Sequence, residues 1–153
     1  MSDFPHHLSE TARAFIARQR GAFIDGEIVE GEGEGGSVTT LNPATGRPIA
    51  TLRESDAATV DAAVRSARAA FDSAWGSMLP AQRERLLHRL ADLVEEHAHE
   101  LSEYDALEGG KPISYVEAVD LPLAVEQFRY YAGWPTNMVG AVVPVSTPKA
   151  HVY

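Results

Sequence analysis

The sequence predicts an α/β fold: short β-strands, then three or four long helices, then the first strands of a further β-element. Three observations carry this. Residues 22 to 54 hold short β-branched runs separated by turn residues. Residues 56 to 136 hold apolar residues at helical spacing. Gly109-Gly110 followed by Pro112 breaks that helical region in two.

Taken in order, residues 1 to 21 read as a helix. Leu8, Ala12, Phe15, Ile16 and Gln19 fall near one face, Ser9 or Asp3 supplies the cap, and Gly21 ends it. Phe23-Ile24 and Glu27-Ile28-Val29 flank Asp25-Gly26, the pair that suits a two-residue hairpin turn with positive φ. Ser37-Val38-Thr39-Thr40-Leu41 and Pro48-Ile49-Ala50-Thr51-Leu52 read as strands around a turn at Asn42-Pro43-Ala44-Thr45-Gly46.

The first long helix covers residues 56 to 75, with Asp56 as its N-cap. Val60, Val64, Ala67, Phe71 and Ala74 form a single stripe expected to be buried, with Trp75 and Met78 closing the end against the next helix. Pro80 opens that next helix, where its missing N–H costs nothing. Leu86, Leu90, Leu93, Val94, His97, Leu101 and Tyr104 make its stripe, and so long a run is expected to bend near His97. Ser114-Tyr115-Val116-Glu117 has the form of a capping box, which starts a last helix reaching Thr136. Pro122 lies inside it and predicts a kink. Residues 139–145 and 150–153 read as edge strands suited to pairing with a partner.

Composition narrows the function. The chain has 153 residues, 44% apolar and 23% charged, which suits one globular domain. The net charge of −9 argues against a nucleic-acid partner and against an anionic membrane surface. No apolar run is long enough to span a bilayer, and the first residues lack the basic and apolar parts of a signal peptide, so the expected location is cytoplasmic. With no cysteine, the chain offers no disulfide, thiolate zinc site or thiol nucleophile.

Several residues invite chemistry. Gly31-Glu32-Gly33-Glu34-Gly35-Gly36 matches a dinucleotide fingerprint in form, but a β-branched segment follows where a helix is required, and two glutamates would repel phosphate. An acidic connector is the better account. His97 and His99 point to opposite sides of a helix, which defeats a shared metal ion. Glu103, Asp105 and Glu108 gather acid near a helix C-terminus. Lys111 shows no neighbour in sequence that would lower its pKa.

Four strings carry a resemblance. Phe23-Ile24-Asp25-Gly26-Glu27, Asn42-Pro43-Ala44-Thr45-Gly46, Leu107-Glu108-Gly109-Gly110-Lys111-Pro112 and Phe128-Arg129-Tyr130-Tyr131-Ala132-Gly133-Trp134 stand in the order found in the aldehyde dehydrogenase superfamily. The chain resembles the N-terminal part of that fold. The residues from Phe15 to Gly21 are most similar to the phenylacetaldehyde dehydrogenase branch.

The resemblance implies an enzyme that oxidises an aldehyde to an acid with NAD or NADP. A thiolate attacks the carbonyl, hydride passes to the nicotinamide, and a glutamate activates water. It places residues 1–137 in an incomplete cofactor-binding domain and residues 138–153 at the start of the oligomerisation element. Val119, Leu123 and Gln127 would line the tunnel that admits the aldehyde. Glu108 and the Leu41 carbonyl would share a structural monovalent cation, and Phe128, Tyr131 and Trp134 would serve packing. The catalytic cysteine, the glutamate and the cofactor strand lie further along the family's chain, so these 153 residues are expected to bind no cofactor and to be inactive alone. The expected partners are the remainder of the fold or further copies of the chain. The alternative is a non-catalytic interaction module, or one half of a split enzyme completed by a separate chain.

Overall fold

The computed structural model describes residues 8–18, 21–29 and 36–140. The helix expected over 1–21 is shorter within these limits: α1 runs from Glu10 to Ala17. Ser9 caps it, its hydroxyl oxygen accepting from the Ala12 N–H at 3.1 Å. The other expected cap, Asp3, lies outside the described residues, as do Gln19 and most of the glycine-rich connector.

Two hairpins follow. β1 (Ala22–Ile24) and β2 (Glu27–Val29) pair antiparallel, with Ala22 opposite Val29. Asp25 and Gly26 both take positive φ, 54° and 84°, as the turn requires. β3 (Ser37–Leu41) and β4 (Pro48–Arg53) form a second, separate antiparallel pair with an irregularity at Thr40/Leu41. The Asn42 side chain makes the connecting turn, its Oδ1 accepting from the Ala44 N–H at 2.8 Å.

α2 spans Ala57–Ala70, and the Asp56 carboxylate accepts from the Thr59 N–H at 2.8 Å. That bond holds the Asp56 pKa below its ordinary value. A π-helical turn, Phe71–Trp75, completes the run. The helix is as expected, but its stripe is not buried. Val60 and Val64 are 52% and 61% exposed, and Phe71 is also exposed. The partly covered side runs instead through Thr59, Ala62, Ala63 and Ser66, and α2 meets β1. The end of the run does close on the next helix. The Arg83 guanidinium sits over the Trp75 ring and donates to the Met78 carbonyl.

α3 (Pro80–Glu96) and α4 (Ala98–Gly109) form the long second run, broken at His97 as its length predicts. Leu86, Leu90 and Leu93 are exposed. The covered side runs through Leu87 and Ala91, each one residue beyond the expected stripe, and through Val94, which belongs to that stripe; the helix's most extensive helix contact is with α6. Gly110 ends α4 in the left-handed region at φ 72°.

The last run is segmented: α5 (Ile113–Tyr115), a π-helical turn Val116–Asp120, α6 (Leu121–Ala132) and α7 (Trp134–Asn137). Ser114 does not cap it. Pro112 precedes the first turn, and no side-chain cap bond forms. The reason is that the helix begins at Ile113, which puts Ser114 inside its first turn, and Glu117, the other half of the expected box, reaches His99. The kink expected at Pro122 appears as the π turn before it, because proline lacks the N–H that would continue an α-helical ladder. Of the expected terminal strands, 139–145 lies mostly and 150–153 wholly outside the described residues.

The buried centre includes Leu8, Ala12, Leu107, Val116, Leu121, Val125 and Glu103. Glu103 is 1% exposed. It accepts from the Ser9 N–H at 2.6 Å and from the Ser9 hydroxyl at 2.5 Å, which ties the start of α1 to α4. Replacing Glu103 by Ala is expected to cost about 2–4 kcal/mol, since it opens a cavity and strands two donors. Urea unfolding of the two proteins at one concentration measures it. Gly110→Ala is expected to destabilise by about 1–2 kcal/mol, because a Cβ there meets Pro43 at 2.7 Å in a strained backbone region.

Candidate functional site

The π turn and α6 bring Val119 and Leu123 together one turn apart, with Gln127 one turn beyond. All three are exposed, and Leu123 is 51% so. The same exposed surface carries Tyr115, Tyr130, Tyr131 and Trp134. The last three stack on one another, with Tyr130 and Tyr131 edge to face at 5.1 Å. Phe128 is half-buried, but Tyr131 and Trp134 are not packing residues of this chain's interior. Val125, on the opposite side of α6, is 6% exposed and belongs to the core.

Polar contacts fix the π turn from α4 and from the loop after it. His99 Nδ1 lies 2.6 Å from Glu117 Oε1, and this bond raises the His99 pKa. Lys111 Nζ donates to Asp120 Oδ2 at 2.6 Å and lies 3.8 Å from Asp105. The Asp120 bond raises the lysine's pKa, which keeps it protonated rather than nucleophilic. On the neighbouring face, Arg129 of α6 spans Asp92 and Glu95 of α3.

The acidic residues expected to gather near the end of α4 separate. Glu103 is buried on Ser9, Asp105 faces Lys111, and Glu108 is exposed. His97 and His99 likewise turn to different carboxylates, Glu100 and Glu117. Glu108 lines a cleft of about 170 Å³ with Phe15, Thr40, Ile49, Leu52 and Tyr104. Among the described residues no three acidic or histidine side chains gather as a metal would need. Gly36 leads directly into β3 rather than into a helix, and the rest of the glycine-rich string, 31–35, lies outside the described residues.

Sequence reasoning missed the His99–Glu117 bond. The only available signal was the acid–base spacing of two residues eighteen apart, and a competing capping motif obscured it.

Comparison with known proteins settles the family. A profile described as the aldehyde dehydrogenase family matches residues 28–153. The chain belongs to the aldehyde dehydrogenase family. It is 44% identical over 147 residues to DhaS of Bacillus subtilis, covering 95% of this chain and 30% of that protein. It is 38% identical to the mitochondrial benzaldehyde dehydrogenase of Antirrhinum majus, over 82% of this chain and 23% of the relative. Among solved structures, the NAD+ complex of an aldehyde dehydrogenase from Bacillus cereus superposes with a TM-score of 0.85 at 41% identity, over 91% of this chain and 28% of that one. The chain thus spans less than a third of the length of these relatives. Its strands and helices are those of the N-terminal part of the family fold, as the motifs implied.

No helix among the described residues is long and apolar enough to cross a membrane. The division of α6 into a covered and an open side yields a paired prediction. Leu123→Ser is expected to change the stability of this chain by less than about 0.5 kcal/mol, whereas Val125→Ala costs about 1–3 kcal/mol. Denaturant midpoints of the two variants distinguish the sides.

Proposed function

We propose that this chain is the N-terminal portion of an NAD(P)-dependent aldehyde dehydrogenase that oxidises an aldehyde, an aromatic one by preference, to its carboxylic acid, and that these 153 residues alone do not catalyse the reaction. The observation that carries the reading is the family match over residues 28–153 in a chain without a single cysteine. Aldehyde oxidation through a thiohemiacetal needs a thiolate, and this polypeptide offers none.

The open faces support the same reading. The helices of an α/β domain bury their stripes against a sheet. Here Val60, Val64, Phe71, Leu86 and Leu90 are exposed, and the two hairpins leave them so. The remainder of the dehydrogenase fold, or further copies of the chain, would cover them. In that larger assembly Val119, Leu123 and Gln127 form part of the wall of the aldehyde tunnel, and an apolar wall suits an apolar or aromatic substrate. The benzaldehyde dehydrogenase among the relatives supports the aromatic preference. Glu108 and the Leu41 carbonyl would hold a structural cation there, and residues 138–153 would open the oligomerisation element. The cytoplasm is the location proposed.

The split-enzyme alternative shares one feature with this reading: the exposed stripes fit a separately made chain as well as a covalently continuous one. Purified 153-residue chain, given benzaldehyde or phenylacetaldehyde with NAD or NADP, is expected to form no reduced nicotinamide above the no-enzyme rate. Turnover by that pure chain overturns the proposal. Aldehyde-dependent turnover on adding the complementary part of the fold as a second polypeptide supports it.

A further inference from the structure

The Val116–Asp120 π turn is held by two contacts of different chemistry. Glu117 near its start bonds His99, and Asp120 at its end bonds Lys111. His99 lies on α4 and Lys111 in the loop after it, so both contacts pin the turn to the same neighbour. A π turn carries one residue more than α-helical winding and has poorer hydrogen-bond geometry, so it persists where its surroundings hold it. Here the surroundings are the Pro122 ring, which cannot donate to an α ladder, the fully buried Val116 side chain, and these two contacts.

We propose that His99 and Lys111 form a two-point clamp on the π turn, in which the Lys111–Asp120 contact is constant and the His99–Glu117 contact is released by raising the pH, and that this clamp sets the position of Val119 relative to Leu123. That these two residues face an aldehyde rests on the functional proposal above; the clamp itself does not. His99 and Glu117 are positioning residues, since neither touches a reacting atom.

The chemistry of the two ends differs in the way a switch needs. A lysine bonded to an aspartate keeps its charge throughout the physiological range. An imidazole does not. The groups facing His99 are Glu117 from the π turn and Glu103 from its own helix, and both favour the imidazolium, Glu117 foremost through its hydrogen bond. Glu103 is itself occupied by Ser9, which leaves Glu117 as the direct partner. Because the folded pKa is raised, the contact contributes fully below the usual imidazole value of 6.5 and is lost as pH rises through the higher folded value. His99 is largely exposed, so the effect on global stability is small and the effect is local.

The test follows the ring and the turn together, by NMR of this chain with carbon-labelled histidine and labelled amides of Val119 and Leu121. In the unaltered protein the His99 midpoint is expected above 6.5, with the two amides shifting at that same midpoint. Glu117→Gln is expected to lower the midpoint towards 6.5 and flatten the amide titration, while His99→Gln abolishes it. Asp120→Asn is expected to leave the His99 midpoint unchanged. A His99 midpoint at or below 6.5 in the unaltered protein overturns the clamp, as do amides that ignore the ring or an unchanged midpoint in Glu117→Gln. None of these readings uses an aldehyde, so a failed tunnel assignment and a failed clamp are told apart.

Discussion

The buried carboxylate of Glu103 holds the described part of this chain in register. Without partners, so buried a carboxylate would be expelled or neutralised. Ser9 supplies both partners, a backbone N–H and a hydroxyl, while its hydroxyl oxygen also caps α1. One residue thus starts a helix and satisfies an acid ninety-four positions away. The consequence reaches beyond that pair. α1 is laid on α4, and Phe15 comes to rest 4.7 Å from Tyr104 between ring centres. The cleft beside β3 and β4 takes its shape from this placement.

α4 is the element to which most else is referred. Its start is the joint at His97, its middle holds Glu103, and its end turns through Gly110 against Pro43 of the β3–β4 turn. Two of its neighbours in charge, His99 and Lys111, reach forward to the π turn. The surface ion pairs are individually weak in water. Their role is local: they orient a turn whose geometry proline and a buried valine already constrain. The turn in turn places Val119 and Leu123 on the open side of the helix.

The helices carry more apolar surface than the two hairpins cover. α2 shows this most plainly, since its strongest stripe is the one left open. The chain matches less than a third of the length of these relatives.

Local signals in the sequence determined the punctuation of the fold. The Asp25-Gly26 turn, the Asp56 cap, the start at Pro80 and the stop at Gly110 all follow from residues within a turn of the site. Such features are satisfied by neighbours four positions away or fewer, so they are legible without a partner. The zero cysteine count and the ordered family motifs were equally legible, and they bounded the function. What packs against what was decided by tertiary structure. Most covered positions of α2 and α3 lie one residue, roughly 100° of helix, from the stripes the periodicity singled out; Val94 lies on its stripe. Leucines and alanines flank both positions, and only the location of α6 and β1 selects between them. Glu117 shows the limit most clearly. Three residues from Ser114 it has the form of a capping residue, yet the helix begins at Ile113 and an imidazole from another helix stands 2.6 Å from its oxygen.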